Sequence, residues 1–203
     1  MLASKPAVTQ ADRRKEAERR LLNAAIRLLV DKGYDRFTLA EVGQVAGYSR
    51  GLPAHYYGKK EDLLSELARF IVDNYRKSGD DVDHVEPGLP RLVARIRKYT
   101  EGVGSRPNRA LNVLISEASF RPQLKRVILD LNERGTREWE TEIQAGITLG
   151  NIRADANVNA VAAAIYAFLR GQSTFVAVES QYDKTATMQE FIEIVEARLA
   201  PKT

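Results

Sequence analysis

Residues 38–60 read Thr-Leu-Ala-Glu-Val-Gly-Gln-Val-Ala-Gly-Tyr-Ser-Arg-Gly-Leu-Pro-Ala-His-Tyr-Tyr-Gly-Lys-Lys, and their reading decides the fold. Thr38 and Glu41 have the spacing of a capping box. The hydroxyl accepts from a free amide of the first turn while the carboxylate reaches back to the cap amide. Leu39, Val42 and Ala46 fall three and four apart and share one helix face. Gly47 ends that helix, because a residue without Cβ takes a left-handed backbone at little steric cost. Tyr48 is placed to pack inward and Ser49 to cap the next helix. That helix carries Arg50, His55 and Tyr56, with Lys59 and Lys60 just beyond. The spacing predicts a helix-turn-helix whose second helix enters a DNA groove.

The charge distribution agrees. The 203 residues hold 31 Lys and Arg against 27 Asp and Glu, a net charge of +4. Residues 1–62 carry twelve of the basic and eight of the acidic groups, and the remainder is balanced. The whole excess therefore sits with the helix-turn-helix, where phosphate attraction needs it. A solvated helix face is the competing reading. With no cysteine and only two histidines, the chain has no disulfide framework and little material for a metal centre or a nucleophile–histidine pair. No cofactor and no enzymatic activity are expected. No signal segment or bilayer-length apolar run is read from the sequence, which fits a cytoplasmic protein with no membrane partner. Residues 1–11 read as a polar tail.

Outward from the central stretch, apolar periodicity predicts helices throughout. The first runs from about Asp12 to Lys32, with Leu22, Ile26 and Leu29 on its buried face. Arg13, Arg14, Lys15, Arg19 and Arg20 crowd its start and oppose the helix dipole. Either an external anion or local carboxylates (Asp12, Glu16, Glu18) must offset them. A fourth helix covers about 60–77, and the stretch 79–90 reads as a loop. Further helices cover about 90–102, 108–119 and 122–148. Gly135 and Gly146 each cost the last of these about 1 kcal/mol relative to Ala, so a bend or close contact is expected at each. Glu138, Glu140 and Glu142 around Trp139 read as a solvated face. The eighth helix spans about 157–179, with Ala160, Ala163, Ala164, Ala167 and Gly171 forming a strip that lets another helix approach closely. The ninth spans about 187–199, where Thr187 and Glu190 repeat the capping-box spacing. The fold class is all-α, about nine helices. Asn112, Glu117, Trp139 and Tyr166 are candidates to line an effector cavity, against ordinary core packing.

Residues 12–64 resemble the DNA-binding domain of TetR-type transcriptional regulators. The residues that carry the likeness are Gly33-Tyr34, Phe37-Thr38, Val45-Ala46-Gly47-Tyr48-Ser49, Gly51, Tyr56-Tyr57 and Lys60-Glu61-Asp62-Leu63-Leu64. The resemblance implies a helix-turn-helix domain within 1–62 and an effector-binding and dimerisation domain over 63–203. It implies a homodimer paired through helices 157–179 and 187–199, which binds a near-palindromic double-stranded operator and is released by a small-molecule effector. Thr38, Ser49, Arg50, Gly51, Leu52, His55, Tyr56 and Lys60 would meet DNA. Two positions depart from the family pattern: Ala54 stands where tyrosine is common, and Pro53 replaces a better helix former. A repressor is the expected role. An activator of the same fold, or a small-molecule-binding or enzymatic helical bundle, is the alternative.

Overall fold

Thr9 opens the first helix with a capping box of its own. Its hydroxyl accepts from the Asp12 amide at 3.1 Å while the Asp12 carboxylate accepts from the Thr9 amide at 3.1 Å. The computed structural model describes residues 9–179 and 181–201. The expected tail thus falls largely on residues 1–8, outside the described residues, whereas Gln10 and Ala11 already belong to α1 (Gln10–Lys32). Among the described residues the chain is all-helical: α2 (Leu39–Val45), α3 (Leu52–Tyr57), α4 (Lys60–Gly79), α5 (Leu89–Gly102), α6 (Arg106–Ala118), α7 (Pro122–Leu149), α8 (Val158–Val178) and α9 (Lys184–Leu199), with one 3₁₀ turn at Asp80–Val82. The expected loop over 79–90 therefore holds one turn of ordered helix.

The chain divides into two compact units, residues 1–67 and 68–203, and the division falls inside α4. In the first unit α1 packs on α2 and α2 on α3. Its core is Leu21, Ala25, Leu29, Phe37, Val42, Leu63, Leu64 and Leu67, all buried. Burying such side chains stabilises by roughly 1.5–3 kcal/mol each before chain entropy is charged against them. In the second unit α7 packs against α5, α6 and α8, and α5 against α9. Leu92, Ile96, Ile143, Ile165, Leu169, Ile192 and Val195 form its core. Phe168 and Phe191 stack with ring centroids 3.7 Å apart and planes 9° from parallel.

The close contacts expected of α7 are present. A Cβ on Gly135 would meet the Tyr166 ring at 2.7 Å, and one on Gly146 would meet Ile152 at 2.5 Å. One expected cap and one expected helix start are corrected. Helix α9 begins earlier than expected, because Asp183 accepts from the amides of Thr185 and Ala186 at 3.0 Å each. Thr187 instead donates its hydroxyl to the Asp183 carbonyl at 2.9 Å, so it is an interior residue. Helix α6 also starts two residues earlier, with Ser105 as its cap and Pro107 in its first turn.

Candidate nucleic-acid interface and ligand cavity

The helix-turn-helix is set by local chemistry. Thr38 accepts from the Glu41 amide at 3.2 Å, and Glu41 accepts from the Thr38 amide at 2.7 Å. Lys32 donates to the same carboxylate at 2.6 Å. These hydrogen bonds, from Lys32 first and then Thr38, hold the Glu41 carboxyl down at about 2. Gly47 takes φ 78° and lets the chain turn. Gly43 fixes the crossing of α2 and α3: a Cβ there would meet the Ser49 carbonyl oxygen at 2.4 Å and the Pro53 ring at 3.1 Å. The unusual Pro53 is buried and sits in the first turn of α3, where its missing N–H leaves nothing unsatisfied. Ser49 does not cap α3. The cap position is Gly51, with no side-chain hydrogen bond, and Ser49 contributes only its carbonyl to the Leu52 amide at 3.2 Å.

Ser49, Arg50, Gly51, Ala54, His55 and Lys59 are exposed, Leu52 and Tyr56 are half-buried, and Tyr48 packs inward only in part. Arg50 and Lys59 have no ion pair among the described residues. His55 meets Tyr56 edge-on at 6.0 Å, and Arg14 lies over the Tyr56 ring at 5.8 Å. The ammonium of Lys60 points inward. It donates to the Phe37 carbonyl at 2.7 Å and lies 4.2 Å from the Phe37 ring centroid. The Thr38 hydroxyl donates to Glu41 at 3.0 Å. Both side chains therefore hold the domain together in this structure. The basic start of α1 is compensated locally in part: Glu16 accepts from Arg19 at 2.9 Å and Arg20 at 2.7 Å, which lowers it to about 2, and Arg14 pairs with Glu18 at 3.1 Å.

The second unit holds a cavity of about 580 Å³ that is partly open to solvent. Tyr75, Tyr99, Trp139 and Tyr166 supply aromatic walls. Tyr75 and Tyr99 stack at 6.1 Å. Gly102 lets Tyr75 lie against α5, since a Cβ there would meet that ring at 2.4 Å. Arg170 donates to the Tyr166 hydroxyl at 2.6 Å, which in turn donates to Asn132 Oδ1 at 2.9 Å. Burial pushes the Tyr166 hydroxyl up from its ordinary value despite the nearby Arg170, so it keeps the proton it donates.

Residues 21–67 match the family model for bacterial regulatory proteins of the tetR family. Together with the relatives below, this match supports a TetR-type regulator of transcription. The chain is 25% identical over 150 residues to the HTH-type transcriptional regulator HbdR of Aromatoleum sp. (strain CIB), covering 73% of this chain and 66% of that one. It is 44% identical over 62 residues to the HTH-type transcriptional regulator CymR of Pseudomonas putida, covering 30% of each. The matched region is thus less than two thirds of either regulator. A putative transcriptional regulator from Saccharomonospora viridis, solved in complex with choline, shares the fold with a TM-score of 0.79 at 20% identity, covering 93% of this chain and all of that one.

In this TetR-type chain the four expected effector contacts divide. Trp139 and Tyr166 line the cavity. Asn112 instead donates to the Ser173 carbonyl at 2.9 Å and links α6 to α8, while Glu117 pairs with Arg121 at 3.0 Å. Arg170 also lines the cavity, and an arginine inside an otherwise apolar helix is the sequence signal that points to it. Glu142 is not on the expected solvated face. It is 5% exposed, accepts from the Gly88 amide at 2.7 Å, and lies 3.9 Å from Arg91 and 3.7 Å from Arg95.

Proposed function

We propose that this chain is a cytoplasmic, homodimeric, ligand-responsive repressor of transcription that binds a near-palindromic operator through the outer face of α3. The observation that carries the reading is the state of Arg50 and Lys59. Both are exposed beside α3 without an ion pair, in the stretch that holds the chain's entire net charge. A guanidinium on a guanine edge discriminates by roughly 1–3 kcal/mol, and an ammonium on a phosphate adds sequence-independent affinity. Ser49, Gly51, Leu52, His55 and Tyr56 supply the rest of the face. Lys60 contributes through the start of α4, where the helix dipole attracts an anion while its side chain stays internal.

Helix α8 supports the dimer. Ala160, Ala163, Ala164, Ala167, Phe175 and Val178 are exposed on it, and its mean hydropathy reaches 1.4. A second copy that covers this strip, with α9, removes apolar surface from water. The choline held by a structural neighbour supports a small molecule in this fold. Ligand and DNA then oppose each other by linkage.

The test is binding to the DNA that flanks the chain's own gene. Arg50→Ala with Lys59→Ala is expected to weaken binding roughly 100-fold while the protein still sediments as a dimer. Unchanged affinity sinks the assignment of α3. A sedimenting monomer sinks the assignment of α8.

A further inference from the structure

Arg170 is the one cavity-lining cation that no carboxylate neutralises among the described residues. Arg76 pairs with Glu138, Lys98 with Asp81 and Glu101, and Arg95 with Asp83 and Glu142. Arg170 has none of these. Its contacts are the Tyr166 hydroxyl at 2.6 Å and the Tyr166 ring, whose centroid is 4.9 Å from its guanidinium carbon. Its Nε is shielded from solvent and has no hydrogen-bond partner. A guanidinium removed from water and left without an anion is costly, and a buried donor without an acceptor adds to that cost. A ligand that brings the missing negative charge offsets both.

The surrounding chemistry defines the rest of the ligand. The aromatic walls suit a flat or apolar body, and about 580 Å³ is room for a small organic molecule. The chain Arg170 to Tyr166 to Asn132 fixes the guanidinium, so its remaining donors are held ready. Gly135 leaves the space in which the Tyr166 ring lies.

We propose that the cavity is a site for a small amphipathic anion, a carboxylate or sulfonate on an aromatic or apolar body, with Arg170 as the group that receives the charge. The proposal deepens the ligand-responsive reading and rests on it only for the consequence to DNA binding.

Trp139 is the chain's single tryptophan and lines the cavity, so it reports occupancy directly. Two probes with the same aryl body separate charge from shape: anilinonaphthalene sulfonate, which is an anion, and phenylnaphthylamine, which lacks the sulfonate. The native protein is expected to bind the sulfonate saturably with quenching of Trp139, and more tightly than the neutral probe. Arg170→Gln should weaken the sulfonate roughly tenfold or more, the scale of one charge-assisted hydrogen bond, and leave the neutral probe unchanged. Arg170→Lys should restore part of the loss, which separates a lost charge from a lost fold. Equal affinity for both probes, no saturable quenching, or a sulfonate affinity indifferent to Arg170→Gln overturns the proposal. Adding the sulfonate to the DNA complex tests the broader reading separately. Arg170-dependent binding that leaves DNA affinity unchanged upholds the anion site and overturns the effector role.

Discussion

The outer face of α3 and the cavity of the second unit both display cations without carboxylate partners, and the two differ in the medium around them. Arg50 and Lys59 stand in water, where an unpaired charge costs almost nothing and stays available to a polyanion that arrives from outside. Arg170 is sheltered, and the same lack of a partner is there a standing cost. An exposed cation is compatible with a ligand; a sheltered, unpaired one requires an explanation. The contrast also separates the kinds of ligand. A solvated cationic face suits a large polyanion read through many weak contacts. A single positioned guanidinium among aromatic rings suits one small anion.

Two glycines carry the same contrast into stability. Gly43→Ala sets a methyl carbon against the Ser49 backbone oxygen, which lies only 2.4 Å from the ideal position. Backbone cannot swing aside, so the crossing of α2 and α3 must open. A loss of roughly 2–3 kcal/mol is expected, the scale of an overpacked core, read as faster amide exchange in α1–α3. Gly135→Ala meets the edge of the Tyr166 ring at 2.7 Å. A side chain can yield, and α7 gains about 1 kcal/mol of helix propensity in return. A change in melting within roughly 1 kcal/mol is expected, with the sulfonate probe weakened because Tyr166 no longer holds Arg170 in place. If Gly135→Ala proves the more destabilising of the two, the comparison fails.

The smallest effect is electrostatic. Glu41 is held at about 2 against an ordinary 4.5, with Lys32 the larger cause and Thr38 the second. A carboxyl depressed on folding contributes stability in full above its unfolded value and loses it as the pH falls through the folded one. The contribution should therefore disappear between pH 4.5 and about 2. Glu41→Gln lowers the melting temperature slightly near neutrality, and the gap between the two proteins should close across that window. A gap that stays constant with pH means the pairing with Lys32 does not stabilise the fold.

The same contrast explains what could be read from the sequence. The first unit was legible because its decisive interactions are local. Thr38 and Glu41 lie three residues apart, and Gly47 needs only its own backbone. Even there the signal was partial. Serine is a common cap, yet the chain turns so that Gly51 takes the position, and Lys60 reads as a surface lysine although the Phe37 carbonyl holds it inward. In the second unit the helices were legible by periodicity, but the inner polar residues were not. Glu142 is buried because Gly88, the cap of α5, and Arg95 within it meet the carboxylate from more than forty residues away in sequence. Asn112 and Glu117 sit on the same helix as buried apolar residues but spend their hydrogen bonds on Ser173 and Arg121. Arg170 gains its meaning only from Tyr166 and the rings that enclose it. Which polar residue faces a cavity depends on its neighbours in space, and periodicity alone does not supply those neighbours.

The measurement that tests the central claim most directly is the affinity of the native protein for the DNA flanking its own gene, followed as salt is raised. With a Lys59 ammonium on a phosphate contributed by each of two copies, the logarithm of affinity should fall linearly with the logarithm of salt, with a slope of about −2 or steeper. A duplex of equal length and unrelated sequence should bind far more weakly at every salt concentration. A flat salt dependence, or equal affinity for the two duplexes, would contradict the account.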